Sequence, residues 1–318
     1  CLVGSEMCIR DRVEVLGMEG QAYPGYTMRM FSDNAAKVLK EFVFTRPVTL
    51  SGGGMFPMGD DMKLMKGRIR FDASAGRVRY PLLGTTLDLG KAKGEILISP
   101  QWVVVDKMKG TIWDGSFTGR VLAQIDDGDA LNGSFVLQDM NLTSIGRSYG
   151  KKMEKATVHG AIEFSSKGGN MNSIQAKGEA ALVHGDLVEI PLFGFLGEAL
   201  SNYIPGLGHL INYKITRADC DFSIEKGYIR TSNFSAKGSN MSLEGGGWIR
   251  LADLQVNSDF KLGLRGLPGL ITSPVFLLAG GLFQVRGTGP LSNVSWSFAP
   301  FSGGKAPVPP AAAPARRR

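Results

Sequence analysis

Residues 221–264 read DFSIEKGYIRTSNFSAKGSNMSLEGGGWIRLADLQVNSDFKLGL, and this stretch decides the fold. Apolar and polar residues alternate through most of it, which is typical of β-strands with one buried face. Lys226 and Gly227 provide a turn signal, because a tight hairpin needs backbone angles that glycine adopts easily. The pattern predicts one strand before this turn and four further short strands after it, with one face apolar throughout.

The same alternation extends towards the N-terminus. The segment KGRIRFDASAGRVRY, residues 66–80, sets Ile69 and Phe71 against charged neighbours and turns near Gly76. Residues 99–126 contain a further succession of short strands, and Asn132-Gly133 is a turn signal at which another strand is expected to begin. We therefore predict a mainly β chain with meander-like antiparallel strands.

Helical patterns are few, and each is short. We predict amphipathic helices near 33–42, near 192–204 and near 267–281. The last segment is apolar but is interrupted by prolines and glycines. It falls short of the ~20 uninterrupted apolar residues that a membrane-spanning helix needs.

Composition and charge exclude several classes of protein. Glycine accounts for 43 of the 318 residues, about twice its share of ~7% in average proteins, and it favours many turns. The net charge is +7, but four of these charges lie in the Pro/Ala-rich tail, 302–318, which leaves +3 for the rest. No basic stripe interleaved with aromatic residues is present, so we predict no nucleic-acid partner. The tail lacks periodicity and is predicted to be disordered.

The first twelve residues, CLVGSEMCIRDR, resemble a translated sequencing adapter and are excluded from the fold. They contain Cys1 and Cys8, so Cys220 is left without an intramolecular disulfide partner. The natural N-terminus is then expected to lie upstream of this stretch.

Residues that could carry chemistry do not converge. His159, His184 and His209 show no metal-binding spacing, and the first two are expected to be solvated residues at strand ends. The DDGD segment at 126–129 lacks the glutamate of a calcium loop and indicates a hairpin turn. Cys220 lies between two aspartates that would keep its thiol pKa high. We predict no enzyme activity, no metal and no cofactor.

A family resemblance covers residues 186–301. The segments FSIEKGYIRTSNFSAKGSNMSLEGGGWIRLADLQVN and FQVRGTGPLSNVSWSFAPF, with GDLVEIPLFGFLGEAL before them, resemble the C-terminal region of AsmA-like proteins, which include TamB-type and YhdP-type envelope proteins. Val294 stands where the usual ending of this region has proline, a departure that touches one turn. Residues 13–185 resemble the family more loosely, only in the spacing of their glycines and alternating apolar residues.

The resemblance implies an elongated, curved antiparallel β-sheet with an apolar concave groove. It also implies a periplasmic protein, anchored to the inner membrane by an N-terminal segment absent from this chain, that takes part in outer-membrane lipid homeostasis. Its partners would be phospholipid acyl chains and bacterial membranes. The positions that we assign to the groove or to a core-facing side are Val103, Val105, Ile112, Phe117, Val121, Phe135, Leu137, Ile162, Phe164, Leu182, Ile224, Ile229, Phe234, Leu243, Ile249, Phe260 and Leu262.

Two alternatives remain open at the level of sequence. Alternating apolar residues also fill the closed core of a passive structural or adhesive β-sheet protein. The segment NVSWSFAPF, residues 293–301, resembles the closing strand of a transmembrane β-barrel. Such barrels need strands of about 9–11 residues, whereas the runs here read as shorter and broken by glycine, and a tail follows the last strand.

Overall fold

A computed structural model describes the protein at residues 12–24, 42–57, 65–82, 85–124, 130–150, 153, 155–167, 173–186, 214–264, 282–291 and 293–300. These residues form 17 β-strands with antiparallel pairing, so the prediction of a mainly β, antiparallel fold is confirmed. The helices predicted near 192–204 and 267–281 and the tail lie outside the described residues, as does the helix predicted near 33–42 apart from Phe42.

The chain divides into two compact units. Unit 1 comprises Cys1–Lys151 and Glu163–Asn170, and unit 2 comprises Lys152–Ile162 and Met171–Arg318. The division that we predicted after residue 185 follows the family resemblance and stays a prediction.

Unit 1 is a meander with one side branch. β1 pairs with β3, and the sheet continues through β4, β6, β7, β8 and β9, while β5 pairs with β6 and with β2. The strands are β1 (Arg12–Ala22), β2 (Val43–Phe44), β3 (Val48–Pro57), β4 (Lys66–Asp72), β5 (Arg77–Leu82), β6 (Thr85–Ile98), β7 (Trp102–Ile112), β8 (Gly115–Gln124) and β9 (Leu131–Asn141). β10 (Thr157–Ser166) follows, with residues in both units.

A small buried core lies where the side branch of unit 1 meets the meander. Its buried residues come from β3, from the turn after β4, from β5 and from β6. They are Val48, Ala73, Val78 and Ala92, packed against the partly buried Phe42, Phe44, Leu50, Phe71 and Leu89.

Helix α1 (Leu142–Ser148) follows β9 directly and was not predicted from the sequence. Asn141 is its N-cap, because its side-chain oxygen accepts a hydrogen bond from the Thr143 backbone N–H at 2.9 Å. Trp113 anchors the far end of the helix by donating from its indole N–H to the Ser148 hydroxyl at 3.2 Å.

Bulges bend the strands of unit 1. On β7, Val105 pairs with Val121 and Met108 with Gly119, so Asp106 and Lys107 together face Arg120 alone. Lys107 has a φ of 50°, which places it in the left-handed region. An extra residue of this kind increases the local twist and directs two consecutive side chains to one face.

Unit 2 is a simple up-and-down meander in which each strand pairs with the next from β11 to β17. The strands are β11 (Gln175–Asp186), β12 (Lys214–Glu225), β13 (Tyr228–Gly238), β14 (Met241–Arg250), β15 (Gln255–Leu264), β16 (Leu282–Pro290) and β17 (Ser295–Pro300).

Several strand predictions are confirmed. β4 and β5 occupy the segment 66–80, with the turn between them at Ala73–Gly76. The turn at Lys226-Gly227 also forms, and both residues have positive φ.

Two predictions about strand boundaries are wrong. Three strands, β13 to β15, follow the turn within residues 228–264 where we expected four, and they have 10 or 11 residues each. Asn132 and Gly133 do not form a turn. They lie inside β9 and pair with Leu122 and Val121 of β8. In both cases glycines that read as breaks lie within continuous strands.

Candidate functional site

The apolar face of unit 1 is built from alternate residues of neighbouring strands. Ile69 pairs with Ile96, Ile96 with Val105, and Val105 with Val121, so the four side chains form one row across β4, β6, β7 and β8. All four are half-buried. In a sealed core such residues would lose almost all of their exposed surface, so this row keeps apolar surface that a ligand could contact.

Phenylalanine rings on this face lie over glycines of the adjacent strand. Phe71 is paired with Gly94, and a methyl group in place of the Gly94 hydrogen would come within 2.7 Å of Phe71 Cε1. Phe135 is paired with Gly119, where the same substitution would come within 2.3 Å of Phe135 Cδ1. The rings cover backbone that would otherwise be exposed and make the apolar face nearly continuous.

This arrangement repeats on further strands of unit 1. Phe117 lies over its register partner Gly110, and Phe164 of β10 lies over Gly133. The Phe135 and Phe164 rings are almost parallel, with an interplanar angle of 2° and centroids 6.0 Å apart. Aromatic pairs at this separation add to the stability gained by burial alone.

The opposite face of these strands carries charges in cross-strand pairs. Arg70 Nε and Lys107 Nζ each lie 3.3 Å from a different oxygen of Glu95. Lys93 Nζ lies 2.9 Å from Asp72, and Arg120 Nε lies 3.6 Å from Asp106. We call ten charged side chains of this face, on β4, β6, β7 and β8, the cationic band; they are Lys66, Arg68, Arg70, Asp72, Lys93, Glu95, Asp106, Lys107, Lys109 and Arg120. The same face also carries Leu97, Val104 and Leu122 and, further along β6, Asp88.

Two carboxyl groups of the cationic band have a lowered pKa. Asp72 has a pKa of about 2, because it accepts a hydrogen bond from Ser74, whose backbone N–H lies 2.8 Å from its Oδ1, and because it lies beside the Lys93 ammonium. The pKa of Glu95 is lowered by its hydrogen bonds with Lys107 and Arg70. Both carboxylates are therefore ionised at neutral pH. An open groove of about 830 Å³ runs along the band, lined by side chains that include Arg70, Lys109 and Arg120.

The apolar layer of unit 2 differs from that of unit 1 because much of it is buried. Leu243 pairs with Leu262 and Leu262 with Phe283, and these three side chains are 0%, 0% and 1% exposed. Phe260 and Val285 are 3% and 0% exposed. This part of unit 2 has the packing of a closed core and leaves no apolar surface that a ligand could reach without rearrangement.

The structure places every predicted groove position on a strand, and none of them is exposed. The buried ones are Ile112, Phe117, Leu182, Leu243, Phe260 and Leu262. The half-buried ones are Val103, Val105, Val121, Phe135, Leu137, Ile162, Phe164, Ile224, Ile229, Phe234 and Ile249. Their contact with lipid stays a prediction.

Sequence reasoning left out residues that lie on the same apolar face. Ile69 and Ile96 belong to the row described above, and Leu50 pairs with Phe71 beside it. The alternation GRIRF was a sufficient signal for Ile69 and Phe71. The cationic band carried no such signal, because its ion pairs join strands that are distant in sequence.

Groups suited to reaction chemistry do not converge in the described parts of the chain. No cluster of three or more histidine, cysteine or acidic side chains there could hold a metal ion. Cys220 is half-buried on β12, and burial together with Asp221 and Asp219 raises the pKa of its thiol, as we expected. None of the helices in these parts is both long and apolar enough to cross a membrane.

Comparison of the chain with protein-family models, with curated proteins and with solved structures gives no match.

Proposed function

We propose that this chain binds phospholipid acyl chains on the apolar face of unit 1 and acts without catalysis in the bacterial envelope. The observation that carries the proposal is the half-buried row Ile69, Ile96, Val105 and Val121, with phenylalanine rings beside it. The resemblance to AsmA-like proteins adds the setting. In this proposal the protein lies in the periplasm, between the inner and outer membranes. An N-terminal segment that this sequence does not include anchors it to the inner membrane.

The physical role of such a face follows from the cost of exposing hydrocarbon to water. That cost is about 0.8 kcal/mol per CH₂ group, so a sixteen-carbon chain between two membranes would face a barrier above about 12 kcal/mol. On an open apolar sheet face each methylene exchanges one apolar contact for another. The barrier falls accordingly, and the protein needs no reactive group.

The apolar face of unit 1 suits a chain-like ligand better than a compact one. Its apolar row crosses four strands, and strands lie about 4.8 Å apart, so the row is roughly 14 Å long between its outer residues. The row is uninterrupted by polar side chains, since each register partner from Ile69 to Val121 is aliphatic. The row therefore offers continuous apolar contact to a hydrocarbon chain that lies along it.

A passive structural role is the second candidate function. It is favoured for unit 2, because much of the apolar layer of that unit is buried. Leu243, Leu262 and Val285 have no exposed surface, as expected of a packed core. We therefore assign acyl-chain binding to unit 1 and a structural role to the buried layer of unit 2.

Mass spectrometry of organic extracts from the purified chain, expressed without its first twelve residues, tests the proposal. We expect phospholipid at close to stoichiometric amounts. A double variant, Val105→Gln with Val121→Gln, places two amides in the middle of the apolar row and should lower the recovered lipid several-fold, because each buried amide without a partner disfavours the bound state.

The matched control is Val136→Gln, on β9 in the same unit. Val136 is 42% exposed and lines the groove on the cationic side. Its substitution should leave lipid recovery unchanged. A lipid-free extract from the folded wild-type chain, or equal lipid loss in the control and the double variant, would contradict acyl-chain binding on this face.

A further inference from the structure

The cationic band of unit 1 has more positive charge than its carboxylates can neutralise. It contains seven lysine and arginine residues and three acidic ones. Glu95 forms ion pairs with both Arg70 and Lys107. Asp72 is paired with Lys93, and Asp106 is paired with Arg120. Lys66, Arg68 and Lys109 have no carboxylate of the described residues within ion-pair distance, and all three are exposed.

Two of the cations also face each other. Lys93 on β6 is the direct register partner of Lys109 on β7. Like charges directly opposite each other on one face of a sheet are destabilising. Only Lys93 has a carboxylate, Asp72, within ion-pair distance. An external anion placed between the two ammonium groups would turn this repulsion into attraction.

We propose that the cationic band is a docking surface for an anionic lipid bilayer. The ion-paired cations are highly exposed, with 68% for the Arg70 side chain, 68% for Lys107, 60% for Arg120 and 47% for Lys93. Cations in a dedicated phosphate pocket would be more enclosed and fixed by hydrogen bonds. Long, exposed cations along an open groove instead match many phosphates spread over a surface.

The band and the proposed acyl-chain face lie on opposite sides of the same strands. Docking through the band therefore leaves the apolar face free, and the inference does not depend on the proposed function. The geometry favours a bilayer over single-stranded nucleic acid because the band consists of charged side chains, without the aromatic platforms on which bases stack.

Co-sedimentation of the full chain with vesicles tests the proposal. One set of vesicles contains phosphatidylcholine alone, and the other contains phosphatidylcholine with 30% phosphatidylglycerol. The test variant carries Lys66→Gln, Arg68→Gln and Lys109→Gln, which remove the three cations of the band that lie outside its ion pairs. The matched control carries Lys155→Gln, Lys177→Gln and Lys237→Gln, three exposed lysines of unit 2, and loses the same net charge. Both variants keep the basic tail.

We expect the wild-type chain and the control to bind the anionic vesicles and not the neutral ones. Each cation near an anionic surface contributes about a fivefold gain in partitioning, so the test variant should bind on the order of a hundredfold less. Binding should also weaken at 0.5 M salt. Equal loss in the test and control variants would assign the effect to net charge and overturn the proposal. So would wild-type binding to both vesicle types alike, or preferential binding of a DNA duplex in competition with the vesicles.

Discussion

Replacing Gly94 by alanine tests how the phenylalanine rings pack on the apolar face of unit 1. The new methyl group would come within 2.7 Å of Phe71 Cε1 and 2.8 Å of Phe71 Cζ, while the nearest backbone atom, Asp106 O, would lie at 3.1 Å. The ring must therefore move by about 0.8 Å to reach ordinary van der Waals contact. Phe71 packs against the buried core of unit 1, so this movement disturbs residues beyond the pair.

The expected cost combines two opposing effects. Overpacking destabilises by about 1–3 kcal/mol, whereas alanine restricts the unfolded chain and returns about 0.4–1 kcal/mol. Gly94→Ala should therefore lower the free energy of unfolding by about 1–2 kcal/mol. In a Phe71→Leu background the ring is gone, and the same substitution should cost less than about 0.5 kcal/mol.

Urea unfolding followed by far-UV circular dichroism measures both values, provided that the slope with denaturant stays constant. Gly20→Ala on β1 is the matched control, because a methyl group there meets nothing within 4 Å. It should be neutral or slightly stabilising. An equal cost of Gly94→Ala with and without the Phe71 ring, or a cost no larger than that of Gly20→Ala, would refute the packing argument.

Three further predictions concern capping, pH and burial. Asn141→Ala should destabilise unit 1 by about 1 kcal/mol through loss of the α1 cap, whereas Asn141→Ser should recover most of it in thermal unfolding. The pKa of Asp72 is lower in the folded chain than its ordinary value of 3.8, so its contribution to stability is complete above pH 3.8 and is lost as pH falls towards about 2. The difference in unfolding free energy between wild type and Asp72→Asn should shrink over that range, and a constant difference would contradict the assignment. Leu262→Ala, at a fully buried site, should cost about 2–5 kcal/mol, whereas Leu137→Ala at a half-buried site should cost less than about 2 kcal/mol by urea unfolding.

The alternation of apolar and polar residues was enough to predict the fold class and several strands. It works where each strand has one covered face, as in β4, where Ile69 and Phe71 lie on one side and Arg68 and Arg70 on the other. The hairpin turn at Lys226-Gly227 was predicted from its glycine, which adopts the positive φ found there more easily than other residues.

Glycine caused the errors in strand length. Gly133 read as a turn, and the glycines of β14 read as breaks, yet both lie inside long strands. Their physical role depends on a neighbour in space, such as the Phe164 ring over Gly133. A single sequence does not give the register that brings ring and glycine together, so this role could not be predicted.

Register also explains why the two faces of unit 1 were predicted so unequally. An apolar face can be listed from alternation alone, since every second residue of a strand belongs to it. The ion pairs of the cationic band require the pairing of specific strands, as for Arg70 and Glu95, which are 25 residues apart. The bulge at Lys107 adds a further shift of one residue that alternation does not reveal.

That bulge has a consequence for how β7 tolerates changes in length. Because Asp106 and Lys107 share one partner, Arg120, excision of Lys107 would leave Val105 and Met108 opposite their present partners. A one-residue deletion elsewhere in β7 would invert every side chain beyond it, whereas at this position it would keep both faces intact and sacrifice only the Lys107 contact with Glu95. The strand therefore has one point at which evolution or protein engineering can shorten it without exchanging its inner and outer surfaces.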